Sequence, residues 1–309
     1  EVITVAAGFP TTINPIILYQ AIPVFVDVKM GNYNIDEERI ERAITKKTKA
    51  IMLAHTLGNP FNLDIITKIC KKYNLWLIED SCDALGSKFE GKNVGTFGDF
   101  GTLSFYPAHH ITMGEGGAVF TNNMSLKKIA ESIRDWGRDC FCAPGKDNSC
   151  KRRFCWKLGN LPEGYDHKYI YSNLGFNLKI TDMQAACGLA QLKKLDNFIE
   201  KRKTNFQYLF KKFKALEEFF ILPEKTVNSD PSWFGFPLTI RDNNLLNRND
   251  LVNHLEHKNI QSRLLFAGNV LKQPYMIGQN YRVSGKLKNT EKILFDTFWL
   301  GVFPGLNIQ

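Results

Sequence analysis

Short apolar runs alternate along the chain with amphipathic stretches. The runs at Val2–Ala6, Pro23–Val28, Ala50–Ala54, Leu75–Glu79, Gly101–Phe105 and Gly117–Thr121 read as strands. Several are apolar throughout rather than alternating, as strands covered on both faces are. Between them, Asp36–Thr45, Asp64–Tyr73 and Ser125–Trp136 carry helical spacing, with Asp36 and Ser125 as candidate N-caps. Alternation of this kind predicts an α/β sheet with helices on both faces. The periodicity stops from Asp139 to Gly164, a stretch rich in Cys, Gly, Pro and Lys that reads as a long functional excursion. A long helix is then expected from Thr181 to about Ala215, with Met183, Ala186, Leu189, Leu192, Leu195 and Phe198 as its apolar stripe. Beyond it, Trp233–Ile240 and Ile260–Leu265 as strands around a helix at Arg248–His257 predict a smaller α+β unit. The expected division is a large domain over residues 1–200 and a small one over residues 201–309.

Composition narrows the class. Hydrophobic residues at 44% and charged residues at 23% are those of a globular chain, not of a disordered or collagen-like one. No signal-like segment and no apolar run of membrane-spanning length is visible, so a cytoplasmic, reducing location without a membrane is expected. The net charge of +9 comes from runs such as KKTK and KKFK, spread over helix faces. That distribution suits solvated surface and an anionic small substrate better than nucleic acid. The chain opens directly in a strand and stops after a Pro-Gly turn, as expected of a piece of a longer protein at both ends.

Three stretches carry the candidate chemistry. Leu77-Ile78-Glu79-Asp80-Ser81-Cys82-Asp83 ends a buried strand in carboxylates. Ligands of open α/β sheets sit beyond the carboxyl ends of the strands, where a carboxylate can pair with a cationic heterocycle or simply cap a helix. Ser104-Phe105-Tyr106-Pro107-Ala108-His109-His110 leads into Gly114-Glu115-Gly116-Gly117, and Gly175-Phe176-Asn177-Leu178-Lys179 precedes the long helix. Seven cysteines are too few for a disulfide scaffold, and Cys82, Cys140, Cys142 and Cys150 follow C-x57-C-x-C-x7-C. Four thiolates suit an iron–sulfur cluster or zinc, and unliganded thiols remain open. Cys155 is a fifth nearby thiol, and Cys70 and Cys187 read as core. His167 has no assigned role, and His110 reads as structural.

In their order and spacing these blocks resemble the DegT/StrS sugar aminotransferases over essentially the whole chain. The resemblance implies a fold-type I, aspartate aminotransferase-like large domain with a smaller C-terminal α+β domain, and a pyridoxal or pyridoxamine phosphate cofactor. It implies Asp80 at the cofactor's ring nitrogen, Asp83 beside the ring hydroxyl, Ser104 at the phosphate, and Asn177 reaching the phosphate of a neighbouring subunit in a homodimer. It also places a phosphate loop and a ring-stacking aromatic ahead of the strand that opens the chain. One departure matters most: His109 stands where the aminotransferases have their Schiff-base lysine. Imidazole cannot form that Schiff base but can move a proton. The replacement marks the 3-dehydrases of deoxysugar biosynthesis, in which a histidine acts as base. Among these, the four-cysteine pattern resembles the [2Fe–2S] enzymes that act on a CDP-4-keto-6-deoxyhexose with an NAD(P)H-dependent iron–sulfur flavoprotein reductase. Their products supply 3,6-dideoxyhexoses for lipopolysaccharide. The alternatives are a cluster-free GDP-4-keto-6-deoxymannose 3-dehydratase and a non-catalytic relative acting in binding or regulation.

Overall fold

The computed structural model describes residues 1–142, 145–242 and 245–307. In chain order the strands are β1 (Val2–Val5), β2 (Pro23–Val26), β3 (Ala50–Ala54), β4 (Trp76–Asp80), β5 (Lys88–Phe89), β6 (Lys92–Asn93), β7 (Phe100–Ser104), β8 (Gly117–Phe120), β9 (Phe220–Ile221), β10 (Ser229–Asp230), β11 (Gly235–Ile240), β12 (Ser262–Leu264), β13 (Arg282–Val283) and β14 (Thr297–Gly301). The helices are α1 (Pro10–Leu18), α2 (Ile40–Ala43), α3 (Leu63–Tyr73), α4 (Met124–Arg134), α5 (Asp182–Leu192), α6 (Leu195–Phe213), α7 (Arg248–His257) and α8 (Lys288–Asp296).

The main sheet runs β13-β2-β1-β3-β4-β7-β8. All its pairings are parallel except β7 with β8. Its apolar strands bury Ile3, Val26, Leu53 and Leu77 against Ile40, Phe61 and Ile66 from the covering segments. A four-stranded antiparallel sheet, β12-β14-β11-β9, packs with α6 around Phe206, Phe236 and Phe298. Phe206 stacks on Trp233 with ring centroids 3.8 Å apart. A three-stranded patch, β10-β5-β6, joins residues of the two regions.

Five expectations change in detail. Asn123, not Ser125, caps α4, because its side chain reaches the amides of Ser125 and Leu126. Asp36 makes no cap bond and pairs with Arg39 at 2.6 Å, and its segment begins as a short 3-10 turn before α2. The long helix is two helices. α5 starts with a reciprocal capping box between Thr181 and Gln184, and the chain tightens at Lys193–Lys194, where Lys194 N–H donates back three residues to Gln191. The expected apolar stripe of α5 faces outward, with Met183 81% and Leu189 65% exposed. Cys187 on that helix is exposed rather than core, whereas Cys70 is buried as expected. The helices α1 and α8 and the strands β13 and β14 were not foreseen by periodicity. Among the described residues, no helix is long and apolar enough to cross a membrane.

Glu79 fixes the end of β4. Its buried carboxylate accepts the N–H groups of Gly95 (2.7 Å), Phe97 (2.7 Å) and Gly98 (2.6 Å), and His55 Nε2 lies 3.2 Å away. His55 Nδ1 accepts from the Phe61 amide, which leaves Nε2 as the donor to Glu79. Burial raises the Glu79 pKa, but the His55 contact and the Gly98 and Gly95 amides outweigh it, so the carboxyl titrates below its ordinary range. A carboxyl held low in the folded state stabilises it above the unfolded-state pKa of about 4.3, and that contribution fades as pH falls through the folded value. Glu79→Gln should therefore cost on the order of 2–4 kcal/mol at neutral pH, and less as the pH falls through the acid range. Chemical denaturation across pH 3–8 measures this; a constant difference over that range would contradict it.

Candidate active site

Asp80 is the last residue of β4, at the carboxyl edge of the parallel sheet. Its Oδ2 accepts from Thr12 Oγ1 at 2.7 Å, and its Oδ1 accepts from the Cys82 amide at 3.2 Å and from Thr102 Oγ1 at 3.5 Å. Three donors fix the orientation of this carboxyl group. Thr12 is itself buried on the first turn of α1.

Ser104 ends the neighbouring strand β7, and its Oγ accepts from the Tyr106 amide at 3.3 Å. The chain then reverses: His109 N–H donates to Tyr106 O at 2.9 Å, Met113 N–H to Phe105 O, and Phe105 N–H to Gly116 O. This turn carries His109 beside the turn after β4, with Nε2 3.3 Å from Asp83 Oδ1. Both side chains are mostly shielded, at 17% and 14% exposed. His109 Nδ1 is buried without a partner. Burial raises the Asp83 pKa, opposed by His109 and by Arg202. Asp83, expected at a ring hydroxyl, thus faces His109.

His110 is structural, as expected. Its Nε2 lies 2.9 Å from Ser232 O, and burial together with the nearby Arg202 charge pushes its pKa down to about 3. Phe234 packs against both imidazoles, with centroids 5.5 Å from His109 and 6.1 Å from His110. On the same ring sits the Arg202 guanidinium, 5.7 Å from the centroid, donating to the carbonyls of Trp233 and Phe234.

Asn177 lies apart from this group. It is exposed, and its backbone pairs with Asp135. The two segments meet closely: Gly137 has φ +80°, and a Cβ there would sit 1.7 Å from Asn173 O, so glycine is required.

The cysteines divide. Cys140 Sγ and Cys150 Sγ lie 3.8 and 3.5 Å from Nε2 of the fully buried His167. Cys140, Cys142 and His167 bring their ligand atoms within 4.8 Å of one another. A bond from Ser149 and the amide of Cys150 hold the Cys142 thiol down at about 7, within reach of the thiolate form. Cys82 is not in that group. Its Sγ contacts Thr102 Oγ1 at 3.9 Å, and burial beside Asp80 pushes its pKa up. Cys155 is exposed. A cavity of 810 Å³ runs along α4 past Cys140 and Cys142, walled by Trp136, Trp156 and Lys179, and does not include Asp80 or His109.

Sequence reading missed Thr12, Arg202 and the closeness of His167 to the thiols. Arg202 had a signal: it interrupts the buried stripe of α6 between Ile199 and Phe206. Thr12 had none, because its partner is 68 residues away. Phe9, at the start of α1, also presents an exposed ring one turn from Thr12.

Comparison with known proteins bears on the family and the fold. The sequence model of the DegT/DnrJ/EryC1/StrS aminotransferase family matches residues 1–309. The lipopolysaccharide biosynthesis protein RfbH of Salmonella typhimurium is 63% identical over 309 residues, covering 100% of this chain and 71% of that protein. The dTDP-4-dehydro-2,6-dideoxy-D-glucose 3-dehydratase of Saccharopolyspora spinosa is 52% identical, covering 100% of this chain and 67% of that protein. The Escherichia coli GDP-4-keto-6-deoxy-D-mannose-3-dehydratase with bound hydrated PLP superposes with a TM-score of 0.86 at 30% identity, over 98% of this chain and 76% of that one. The mixed sheet is that of the fold-type I pyridoxal phosphate enzymes, and the chain belongs to the DegT/DnrJ/EryC1/StrS aminotransferase family.

Proposed function

We propose that the chain is a pyridoxamine phosphate-dependent 3-dehydratase of a nucleotide-linked 4-keto-6-deoxyhexose, with His109 as its base. The observation that carries this reading is His109 itself, 3.3 Å from Asp83 in the sequence block where the resemblance puts the family's lysine. The 3-dehydratase names of relatives support the reaction class, and the lipopolysaccharide name of the Salmonella relative supports the pathway. The cysteine pattern favours a CDP-linked sugar.

The residues suit the cofactor. Asp80, held by three donors, suits a protonated ring nitrogen; the Ser104 hydroxyl at the next strand end suits a phosphate oxygen. Asn177, exposed and away from this group, suits the phosphate of a second subunit. The outward apolar face of α5, with Leu174 and Leu178 nearby, suits the homodimer that this requires. In this reading residues 1–200 form the cofactor-binding domain with residues 139–164 as an excursion, and residues 201–309 form the smaller domain. When bound, pyridoxamine phosphate supplies an amine that condenses with the sugar ketone and a ring that spreads the negative charge. His109 would take up the proton lost from the cofactor's C4′ carbon and the C3 hydroxyl would leave, so that the two together make water. Imidazole is suited to this near neutral pH.

We also propose that Cys140, Cys142 and Cys150, with Cys82 as fourth thiolate, hold a [2Fe–2S] cluster. Convergence of the loop thiols and the low Cys142 pKa support it. A cluster held there would supply a path for the two electrons that replacing each hydroxyl by hydrogen requires, delivered by an NAD(P)H-dependent iron–sulfur flavoprotein reductase. The separation of Cys82 from the thiol group favours the cluster-free alternative, in which glutamate restores the amine.

Two measurements decide between these readings. Anaerobically purified protein should contain about two irons and two sulfides per chain and show visible cluster bands, all lost in Cys142→Ser; colourless, iron-free protein that turns over with glutamate would select the cluster-free reading. His109→Asn should lower turnover by roughly 10²–10⁴-fold. His109→Lys should condense with added pyridoxal phosphate, giving a visible band, and should lose dehydratase activity. Unchanged turnover in both variants would remove His109 from the chemistry.

A further inference from the structure

The cluster reading leaves His167 without a role. The ring is fully buried against two of the loop thiols, with Nε2 3.8 Å from Cys140 Sγ and 3.5 Å from Cys150 Sγ. Its seat is closely built. His167 N–H donates to Arg153 O at 3.0 Å, and the Arg153 guanidinium donates twice to the preceding Asp166, at 2.9 and 2.7 Å. Asp166 Oδ1 also accepts the Lys168 amide at 3.1 Å. Residues 166–168 are thus pinned to the segment that follows Cys150. The ring itself packs on Trp156, with centroids 4.7 Å apart.

Two roles fit an imidazole nitrogen at these distances: a further metal ligand, or a hydrogen-bond donor to the sulfurs. Nδ1 separates them. It is buried with no hydrogen-bond partner among the described residues. A neutral histidine bound to metal through Nε2 carries its proton on Nδ1, and such ligands hand that N–H to an acceptor. Here that N–H would be stranded. With the proton on Nε2, the donor meets two sulfurs and only a lone pair stays unpaired. Resting on the cluster reading, we propose that His167 donates Nε2–H to the sulfurs of Cys140 and Cys150 and so raises the reduction potential of the cluster they hold. His167 is then a positioning residue that acts through the thiolates, not a ligand. Negative charge on the sulfurs grows when a cluster gains an electron, so a donor aimed at them favours the reduced form. Cys150 Sγ takes a second donor, the Arg152 amide at 3.4 Å. A cluster tuned upward in this way accepts its electron from the reductase more readily.

The test uses the full-length enzyme, purified anaerobically, as wild type, His167→Gln and His167→Leu. Iron and acid-labile sulfide are measured first, then the midpoint potential by redox titration. His167→Leu, which has no side-chain donor, should lower the ratio of reduced to oxidised cluster at a fixed potential by roughly tenfold. For one electron that is a downward shift of about 59 mV. His167→Gln keeps an N–H and should recover much of the ratio. In reduced wild type labelled with 15N-histidine, pulsed electron paramagnetic resonance should show a weak nitrogen coupling that His167→Gln removes. A strong coupling, as a metal-bound nitrogen gives, overturns the proposal, and so does the absence of any coupling. An unshifted potential in His167→Leu protein that retains its iron overturns it too. If His167→Leu loses its cluster, the wild-type coupling still decides. Wild-type protein free of iron and sulfide refutes the cluster reading, and the proposal falls with it. A full cluster with an unshifted potential refutes the proposal alone.

Discussion

The buried carboxylate of Glu79 is the fixed point on which the site depends. It accepts three backbone amides from residues 95–98 and faces His55, so the turn before β7, the end of β4 and the segment after β3 are tied at one place. Side chains alternate along a strand, so an anchored Glu79 sends Asp80 to the opposite face. There Thr12, Thr102 and the Cys82 amide take up the second carboxylate. Two adjacent acids thus do different jobs. One is satisfied by the fold and is structural. The other is held open at the sheet edge, where an α/β fold binds its ligand.

The same economy of buried charge governs the other side of the site. Arg202, His109 and His110 are packed around Phe234, and Asp83 faces His109. His110 resolves its burial by staying neutral on the Ser232 carbonyl. Arg202 cannot become neutral, so it takes two carbonyls, the ring face and the nearby Asp83 charge. Two neighbouring histidines of the same sequence block therefore differ because one faces a carbonyl and the other a carboxylate. Their roles follow from those partners, not from residue type.

The cysteine loop obeys a different rule. It lacks periodicity because its order comes from side-chain convergence rather than from a helix or a strand. His167 is its buried centre, bracketed by Cys140 and Cys150 and packed on Trp156 at 4.7 Å. Spacing named Cys140, Cys142 and Cys150 correctly as neighbours. Spacing grouped Cys82 with them, whereas its thiol lies beside Thr102, and spacing gave no reason to include His167.

The sequence alone determined the strand order of chemistry. Apolar runs read as buried strands are strands, Ala50–Ala54 to the residue, because a strand buried on both faces is apolar throughout. The acid at the end of β4, the histidine after β7 and the family membership were all legible, since local pattern and motif spacing carry them. The break at Lys193–Lys194, the outward face of α5 and the Asn123 cap were not, because each is settled by hydrogen bonds or partners that periodicity does not record. Contacts across long separations belonged wholly to the tertiary structure: Thr12 with Asp80, Arg202 on Phe234, and His55 with Glu79. A chain can announce which residues are reactive by their type and spacing. Which of them are held, balanced or left free depends on groups that only folding brings within a few ångströms.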